Sequence, residues 1–144
     1  MVPPRWVFRS AWALHKAVSR LSGGRIGTRP PSERRVGTLF LLARGRQSGI
    51  VRRNGIFYLE DGPNLIVVAS NAGAPKDPAW WSNLQALPDA EVELPGSRRA
   101  VRAREATASE RARLWPRLLA ANPSYADYQR GTARPIPVVV LEPR

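Results

Sequence analysis

A strand, a glycine-bracketed turn and a second strand follow one another in TLFLLARGRQSGIVRRNGIFYL, residues 38–59. Residues 38–43 form a short apolar run, which is typical of a buried strand. Gly45–Gly49 is interpreted as a tight turn, because glycine adopts the backbone angles that such turns need. Apolar residues return over Ile50–Leu59, where Asn54-Gly55 indicates a bulge. This stretch therefore predicts an antiparallel hairpin.

Short strands continue after this hairpin and alternate with helical patterns. The remaining strands are predicted over Leu65–Ala69, Ala90–Leu94, Arg98–Ala106 and Pro137–Leu141. One helix is predicted to have Pro78 as its first position, and a second begins at a cap, Thr107 or Ser109, and is kinked at Pro116. A short turn or helix carries Tyr125 and Tyr128. Five or six short strands with interspersed helices indicate an α+β fold, a small antiparallel β-barrel with peripheral helices.

The first 35 residues differ in character from the rest of the chain. On a helical projection of residues 5–21, the basic side chains share one narrow face opposite an apolar half. We therefore predict a basic amphipathic helix and connector over residues 1–35, and a barrel domain over residues 36–144. Two interpretations of this helix stay open: it caps the domain with a solvated basic face, or it lies on a membrane surface.

Composition excludes several classes of protein. The 144 residues contain no cysteine and one histidine, so disulfides, thiol nucleophiles and multi-histidine metal sites are excluded. No apolar run approaches the roughly 20 residues that span a bilayer. The motifs of phosphate-binding loops, Rossmann folds, zinc proteases and serine hydrolases are absent. Catalysis would therefore rest on a bound cofactor or on oxygen and nitrogen groups, and no metal site is expected.

The positive charge is concentrated near the start of the chain. The net charge is +12, and residues 1–60 hold twelve basic residues against two acidic ones. This asymmetry predicts an anionic partner, which could be a nucleic acid, a membrane surface or a polyanionic small molecule. The turn Gly45–Gly49 offers backbone N–H groups together with Arg46 and Ser48, a combination that suits a phosphate or carboxylate. A solvated hairpin turn is the alternative interpretation of the same residues.

Four blocks occur in a fixed order along the chain: LLARGRQSG at 41–49, VVAS to PAWWSNL at 67–84, NPSYADY at 122–128 and IPV at 136–138. From about Val36 onward, their order and spacing resemble the deazaflavin-dependent nitroreductase and quinone reductase family of actinobacteria. The resemblance implies a split β-barrel of the flavin-reductase type. It also implies an oxidoreductase that passes hydride from reduced coenzyme F420 to an electron-poor acceptor such as a quinone, nitro compound or enone.

The resemblance further implies a set of site residues. The coenzyme's phosphate and glutamate tail would be held by Arg46, Gln47, Ser48 and Arg52. Its deazaflavin ring would be lined on one side by Gly55, Ile56 and Phe57, and on the other by Val68, Ser70, Asn71, Ala79, Trp80 and Asn83. Substrate would be oriented by Ser70, Tyr125 and Tyr128.

Three positions depart from the family pattern and leave the choice of cofactor open. Gln47 replaces a lysine of the usual GRKSG turn, Asn71 stands where some members have lysine, and Gly55 lies in a stretch that is commonly Pro-rich. Arg44, Arg52 and Arg53 are expected to compensate for the missing cation. The alternative is a non-catalytic split-barrel protein that carries coenzyme F420, flavin mononucleotide (FMN) or a tetrapyrrole-like ligand.

The resemblance also bears on partners and location. The anionic coenzyme accounts for the basic charge, so no nucleic-acid partner is expected. The expected partner is a small-molecule electron acceptor, with peripheral membrane contact through residues 5–21 as a hypothesis. A cytoplasmic location is expected, including the inner face of the cell membrane, and the oligomeric state is left open.

Overall fold

The computed structural model describes residues 27–144, in which six antiparallel strands form a closed barrel. The strands are β1 (Gly37–Arg44), β2 (Val51–Asp61), β3 (Asn64–Val68), β4 (Asp89–Leu94), β5 (Ser97–Glu105) and β6 (Val138–Pro143). Around the barrel their order is β1, β2, β3, β6, β5, β4. The helices are α1 (Ala79–Ala86), α2 (Ala108–Ala121) and α3 (Ser124–Arg130). The expected α+β barrel with peripheral helices is confirmed.

The first hairpin is more regular than the sequence suggests. β1 and β2 pair without interruption from Gly37 opposite Tyr58 to Arg44 opposite Val51. The predicted bulge at Asn54-Gly55 is therefore wrong, because each of these residues has one direct partner on β1. Glycine in a strand often marks a bulge, but it also occurs where a ligand or another backbone segment approaches the strand closely.

Alternating side chains fill the barrel interior. The interior cluster includes Leu39 and Leu41 of β1 and Val92 of β4, and α1 adds Trp80 and Leu84 to it. An eight-residue helix is barely stable on its own. The buried apolar contacts with this cluster therefore stabilise α1 and fix its position.

A second cluster lies on the outer face of β3 and β6. It includes Ile66 and Val140 from the strands, Leu114 and Leu118 from α2, and Tyr125 from α3. Consecutive residues of β3 and β6 are buried for this reason, since the barrel interior covers one face and the helices cover the other.

The helix ends differ in detail from the prediction. Thr107 caps α2 through a capping box with Glu110, as one of the two expected caps. The helix then continues through Pro116 to Ala121. Pro78 is the N-cap of α1 rather than its first helical residue, with extended backbone angles and no side-chain cap.

β2 and β3 close the barrel through only a short stretch of pairing. β2 pairs with β1 along most of its length but with β3 only from Leu59 to Asp61. Among the described strands, none pairs with the other edge of β2 over residues 51–58. We call the gap between this edge and the end of β3 the split. The turn after β1, the loop after β3 and the start of α1 all lie at this end of the barrel, as the antiparallel registers require.

Residues 27–35 also contact the barrel. Arg29 forms an isolated antiparallel bridge with Thr38, and Ser32 pairs with Arg35. The predicted helix over residues 5–21 lies outside the described residues. Between residues 27 and 144, the structure contains no helix long and apolar enough to cross a membrane.

Candidate functional site

The turn after β1 has a shape that requires glycine at both ends. Gly45 N–H donates to the Ile50 carbonyl at 2.8 Å, and Gly49 N–H donates to the Gly45 carbonyl at 2.9 Å. A Cβ on Gly45 would lie 2.5 Å from Ser48 Oγ, and Gly49 has a φ of +73°. The turn therefore stays tight, and the side chains of residues 46–48 are exposed.

Arg46 in this turn is held by Asn83 of α1. Asn83 Oδ1 accepts from Arg46 N–H at 3.1 Å and from Arg46 Nη1 at 2.7 Å. Asn83 is buried, with 8% of its surface exposed. Two predicted site residues that are 37 positions apart are thus in direct contact. The bond fixes one nitrogen of the guanidinium and leaves its other donors for an anion.

The turn carries hydrogen-bond donors that have no acceptor among the described residues. Ser48 Oγ accepts from Ile50 N–H, so its hydroxyl hydrogen is available to a ligand. Within residues 27–144, the exposed side chains of Gln47 and Arg52 have no hydrogen-bond or ion-pair partner. No acidic residue occurs between Arg44 and Leu59. These features suit an anionic ligand.

Arg53 does not take part in this anion site. Its guanidinium pairs with Glu93 of β4 at 2.8 Å and lies 3.8 Å from the centre of the Phe40 ring. The Glu93 carboxylate therefore neutralises the charge of Arg53 on the outer face of the sheet. The expectation that Arg53 compensates for Gln47 stays a prediction, and its pairing with Glu93 does not favour it. Arg44, the third expected cation, donates to the Gly49 carbonyl and is exposed.

The residues predicted to line a ring fall on both sides of the split. Gly55, Ile56 and Phe57 lie on the edge of β2 that has no β3 partner and are half-buried. Ile56 packs against the interior cluster that contains Trp80, and Phe57 packs against the outer cluster that contains Val68. Trp80 and Val68 are each 8% exposed. Ala79 is exposed at the start of α1, where no side chain caps the first N–H groups.

The loop after β3 has an unusual backbone. Asn71, Ala72 and Gly73 have φ values of 45°, 54° and 77°, so three consecutive residues are left-handed. The first two are not glycine, so this conformation is strained and must be held by its surroundings. Asn71 Nδ2 donates to the Lys76 carbonyl at 3.0 Å. Among the described residues, the half-buried Ser70 hydroxyl has no hydrogen-bond partner.

Tyr125 and Tyr128 lie on α3 beside this loop. A Cβ on Gly73 would lie 2.9 Å from the Tyr128 carbonyl oxygen, which shows how closely loop and helix approach. The two tyrosine rings meet edge to face at 6.3 Å, and Trp115 lies 6.4 Å from Tyr125. Burial raises the pKa of both tyrosines above its ordinary value. Both hydroxyls therefore stay protonated at neutral pH, with Tyr125 only 3% and Tyr128 only 7% exposed.

The sequence analysis missed Arg134. Its guanidinium donates to three carbonyls, Ala74 at 2.9 Å, Ser70 at 2.8 Å and Ala69 at 3.3 Å, and to the Asp77 carboxylate at 2.8 Å. Arg134 follows a Gly-Thr-Ala segment between α3 and β6, and most of its partners are backbone atoms. No sequence motif identifies a backbone carbonyl as a partner, so nothing in the pattern singles out this arginine.

Comparison with known proteins adds independent findings. A family model described as F420H(2)-dependent quinone reductase matches residues 12–143. An F420H(2)-dependent quinone reductase of Mycobacterium tuberculosis is 37% identical over 151 aligned positions, which cover 97% of each chain. The solved structure of an F420-H2 dependent reductase matches with a TM-score of 0.67 and 33% identity, covering 73% of this chain and 93% of that one. A structure described as a domain-swapped dimer matches with a TM-score of 0.72 and 28% identity, covering 95% and 97%.

Proposed function

We propose a function from the premise that the chain belongs to the F420H(2)-dependent quinone reductase family. The protein is an oxidoreductase that uses reduced coenzyme F420 to reduce a quinone. One observation carries the residue-level proposal: the turn with uncompensated donors and the split meet at the same end of the barrel. An anionic group and a flat ring can therefore be held side by side.

The anionic part of the coenzyme fits the turn. Phosphate needs several convergent donors and no competing acid. Arg46, Gln47, Ser48 and Arg52 offer such donors, and the Arg46–Asn83 hydrogen bonds orient one of them in advance. Pre-orientation lowers the conformational entropy lost on binding. We infer that these four side chains hold the phosphate and glutamate tail.

The ring part of the coenzyme fits the split. The edge of β2 over residues 51–58 presents N–H and C=O groups that no described strand uses, and such an edge suits the polar rim of a planar ring. Phe57 and Val68 offer apolar surface on its two sides. We infer that the ring lies between Gly55–Phe57 and the opposite wall, which comprises Val68, Ser70, Asn71, Ala79, Trp80 and Asn83.

The residues around the split have positioning roles. When bound, reduced F420 supplies the hydride. Ser70 can donate a hydrogen bond to a carbonyl oxygen of the acceptor, because its hydroxyl has no partner among the described residues. Such a bond stabilises negative charge that develops on that oxygen. Tyr125 and Tyr128 form an apolar wall whose hydroxyls are neutral, so solvent is the proposed source of the final proton.

Two assays test this proposal. The first titrates oxidised F420 with the protein and follows quenching of its fluorescence, with FMN as the comparison ligand. The second follows oxidation of F420H2 with menadione as acceptor. We expect selective binding of F420 and turnover, and both should weaken in Arg46→Ala and Arg52→Ala. The matched control is Arg98→Ala, an exposed arginine near the opposite end of the barrel. Selective binding of FMN, or equal behaviour of all three variants, would contradict the proposed site.

We also propose that residues 5–21 bring the protein to an anionic membrane surface, where lipid-soluble quinones reside. The sequence supports the proposal, because a helical projection of this segment would separate its basic from its apolar side chains. The described surface adds Ile50 and Val51, which are 58% and 48% exposed beside Arg52. The full chain should sediment with anionic vesicles and not with neutral ones, and deletion of residues 1–22 should abolish this. Failure of the full chain to sediment would refute it.

A further inference from the structure

The loop over residues 69–77 has a strained backbone. It contains two left-handed residues that are not glycine, Asn71 and Ala72, and this conformation is unfavourable for a residue with a side chain. Only two backbone hydrogen bonds are formed inside its turn, Gly73 N–H to the Ser70 carbonyl and Ala74 N–H to the Asn71 carbonyl. The Asn71 side chain adds one bond within the loop, to the Lys76 carbonyl, and contacts from outside the loop provide the rest of its support.

Arg134 provides that support from both sides of the strained residues. Before the turn, its guanidinium donates to the carbonyls of Ala69 and Ser70. After the turn, it donates to the Ala74 carbonyl and the Asp77 carboxylate. The Arg134 side chain is only 15% exposed, so its hydrogen bonds face little competition from water. The planar fork of an arginine can reach four acceptors at once, whereas a lysine ammonium is a single point.

Arg134 is itself fixed to the helix that carries the two tyrosines. Gln129 Nε2 donates to the Arg134 carbonyl at 2.9 Å, and Gln129 Oε1 accepts from Ile136 N–H at 2.9 Å. Gln129 directly follows Tyr128 on α3. The path Gln129, Arg134, Ser70 thus links the helix that carries the tyrosines to the loop beside it.

We propose that Arg134 is a positioning residue for quinone reduction, which acts by holding Ser70 and the 69–77 loop in the shape that receives the acceptor. This inference rests on the proposed function, since Ser70 is the group it is inferred to position. The guanidinium of Arg134 binds the loop, so its proposed role is to position the loop rather than to bind the reactants. Its loss should therefore lower kcat and raise the quinone KM while changing coenzyme binding at the Gly45–Gly49 turn less.

The first test measures amide hydrogen exchange on the full-length protein without coenzyme or quinone. In Arg134→Ala, exchange at Gly73 and Ala74 should be faster than in the wild type. Arg134→Lys should behave similarly, because one ammonium cannot span the same acceptors, and it guards against poor folding of the alanine variant. The matched control is Arg113→Ala, which removes an arginine that binds Asp61 through two hydrogen bonds of 2.9 Å far from the loop. Unchanged exchange in a folded Arg134→Lys protein would overturn the proposal.

The second test is a double-mutant cycle on F420H2-dependent quinone reduction. Arg134→Lys should lower kcat/KM for the quinone by about tenfold, a loss that Arg113→Ala should not cause. Ser70→Ala should cost clearly less activity in the Arg134→Lys background than in the wild type, because Ser70 is then already misplaced. Additive effects would show that Arg134 does not act through Ser70 and would overturn the proposal. If the wild type neither binds F420 nor oxidises F420H2, the proposed function fails, and the exchange test alone decides whether Arg134 holds the loop.

Discussion

Asn83 Oδ1 accepts two hydrogen bonds from Arg46, one from its backbone N–H and one from its guanidinium. The two residues belong to different elements, the turn after β1 and helix α1. A buried amide with 8% exposure thus connects the candidate anion site to the wall of the split. The buried Asn83 side chain therefore sets the position of the exposed Arg46.

The first prediction concerns this hydrogen-bonded pair. Asn83→Leu keeps the branching of the side chain but removes the acceptor, so the guanidinium and the backbone N–H of Arg46 each lose a partner. We expect F420 to bind about threefold to tenfold more weakly, the range for one lost hydrogen bond. Fluorescence titration measures this, and Asn64→Leu at the opposite end of the barrel is the control. Equal affinity in wild type and Asn83→Leu would show that the pair does not prepare the anion site.

The second prediction concerns Gln47, which is exposed in the turn and uncharged. Gln47→Lys adds a cation beside Arg46 and Arg52, so F420 should bind several-fold more tightly at low salt. The gain should shrink as ionic strength rises, because exposed charges are screened. Titration at two salt concentrations checks this.

The control for Gln47→Lys is Ser97→Lys, which adds the same charge in an exposed position at the far end of the barrel. It should change affinity little at either salt concentration. If Ser97→Lys tightens binding as much as Gln47→Lys, then net charge rather than the turn governs the affinity.

The third prediction concerns the tyrosines on α3. Burial raises the pKa of Tyr125 and Tyr128, so neither should ionise below about pH 10, the ordinary value. The pH profile of quinone reduction should therefore show no tyrosine ionisation in that range, and it should be the same in Tyr128→Phe. Because Tyr128→Phe keeps the ring that forms the apolar wall, we expect it to change the quinone KM little and to leave F420 affinity unchanged. A basic limb in the wild-type profile that disappears in Tyr128→Phe would refute this assignment.

Sequence patterns predicted the barrel because its strands are short, apolar and separated by glycine and proline turns. The turn itself predicts Arg46 as an anion ligand. Asn83 is predicted only through resemblance, since no periodicity brings residues 37 positions apart together. The bulge at Asn54-Gly55 was wrong because a glycine in a strand has more than one structural use.

Two arginines show where sequence reasoning ends. The sequence places Arg53 just beyond the Gly45–Gly49 turn, yet alternation along β2 turns it to the face opposite that of Arg52, where it contacts Glu93 and Phe40. No sequence pattern identifies Arg134, because its acceptors are mainly carbonyls of a loop more than 55 residues earlier. Tertiary structure decides which backbone carbonyls an arginine reaches. Because every residue has a carbonyl, the residue types do not indicate these partners.

The last prediction concerns Glu110, the acid of the capping box at the start of α2. Hydrogen bonds from Arg104, reinforced by the Thr107 backbone N–H, lower its pKa from 4.5 to about 2. Because the pKa is lower in the folded state than in the unfolded state, the ionised carboxylate stabilises the folded protein. This stabilisation is complete above about pH 4.5 and is lost as the pH falls toward 2. Glu110→Gln should therefore have a flatter dependence of unfolding free energy on pH across this window, measured by urea denaturation at several pH values. Glu60→Gln, an exposed acid with no ion pair among the described residues, is the control and should retain the wild-type slope. If Glu110→Gln keeps that slope as well, the pairing with Arg104 does not stabilise the start of α2 in solution.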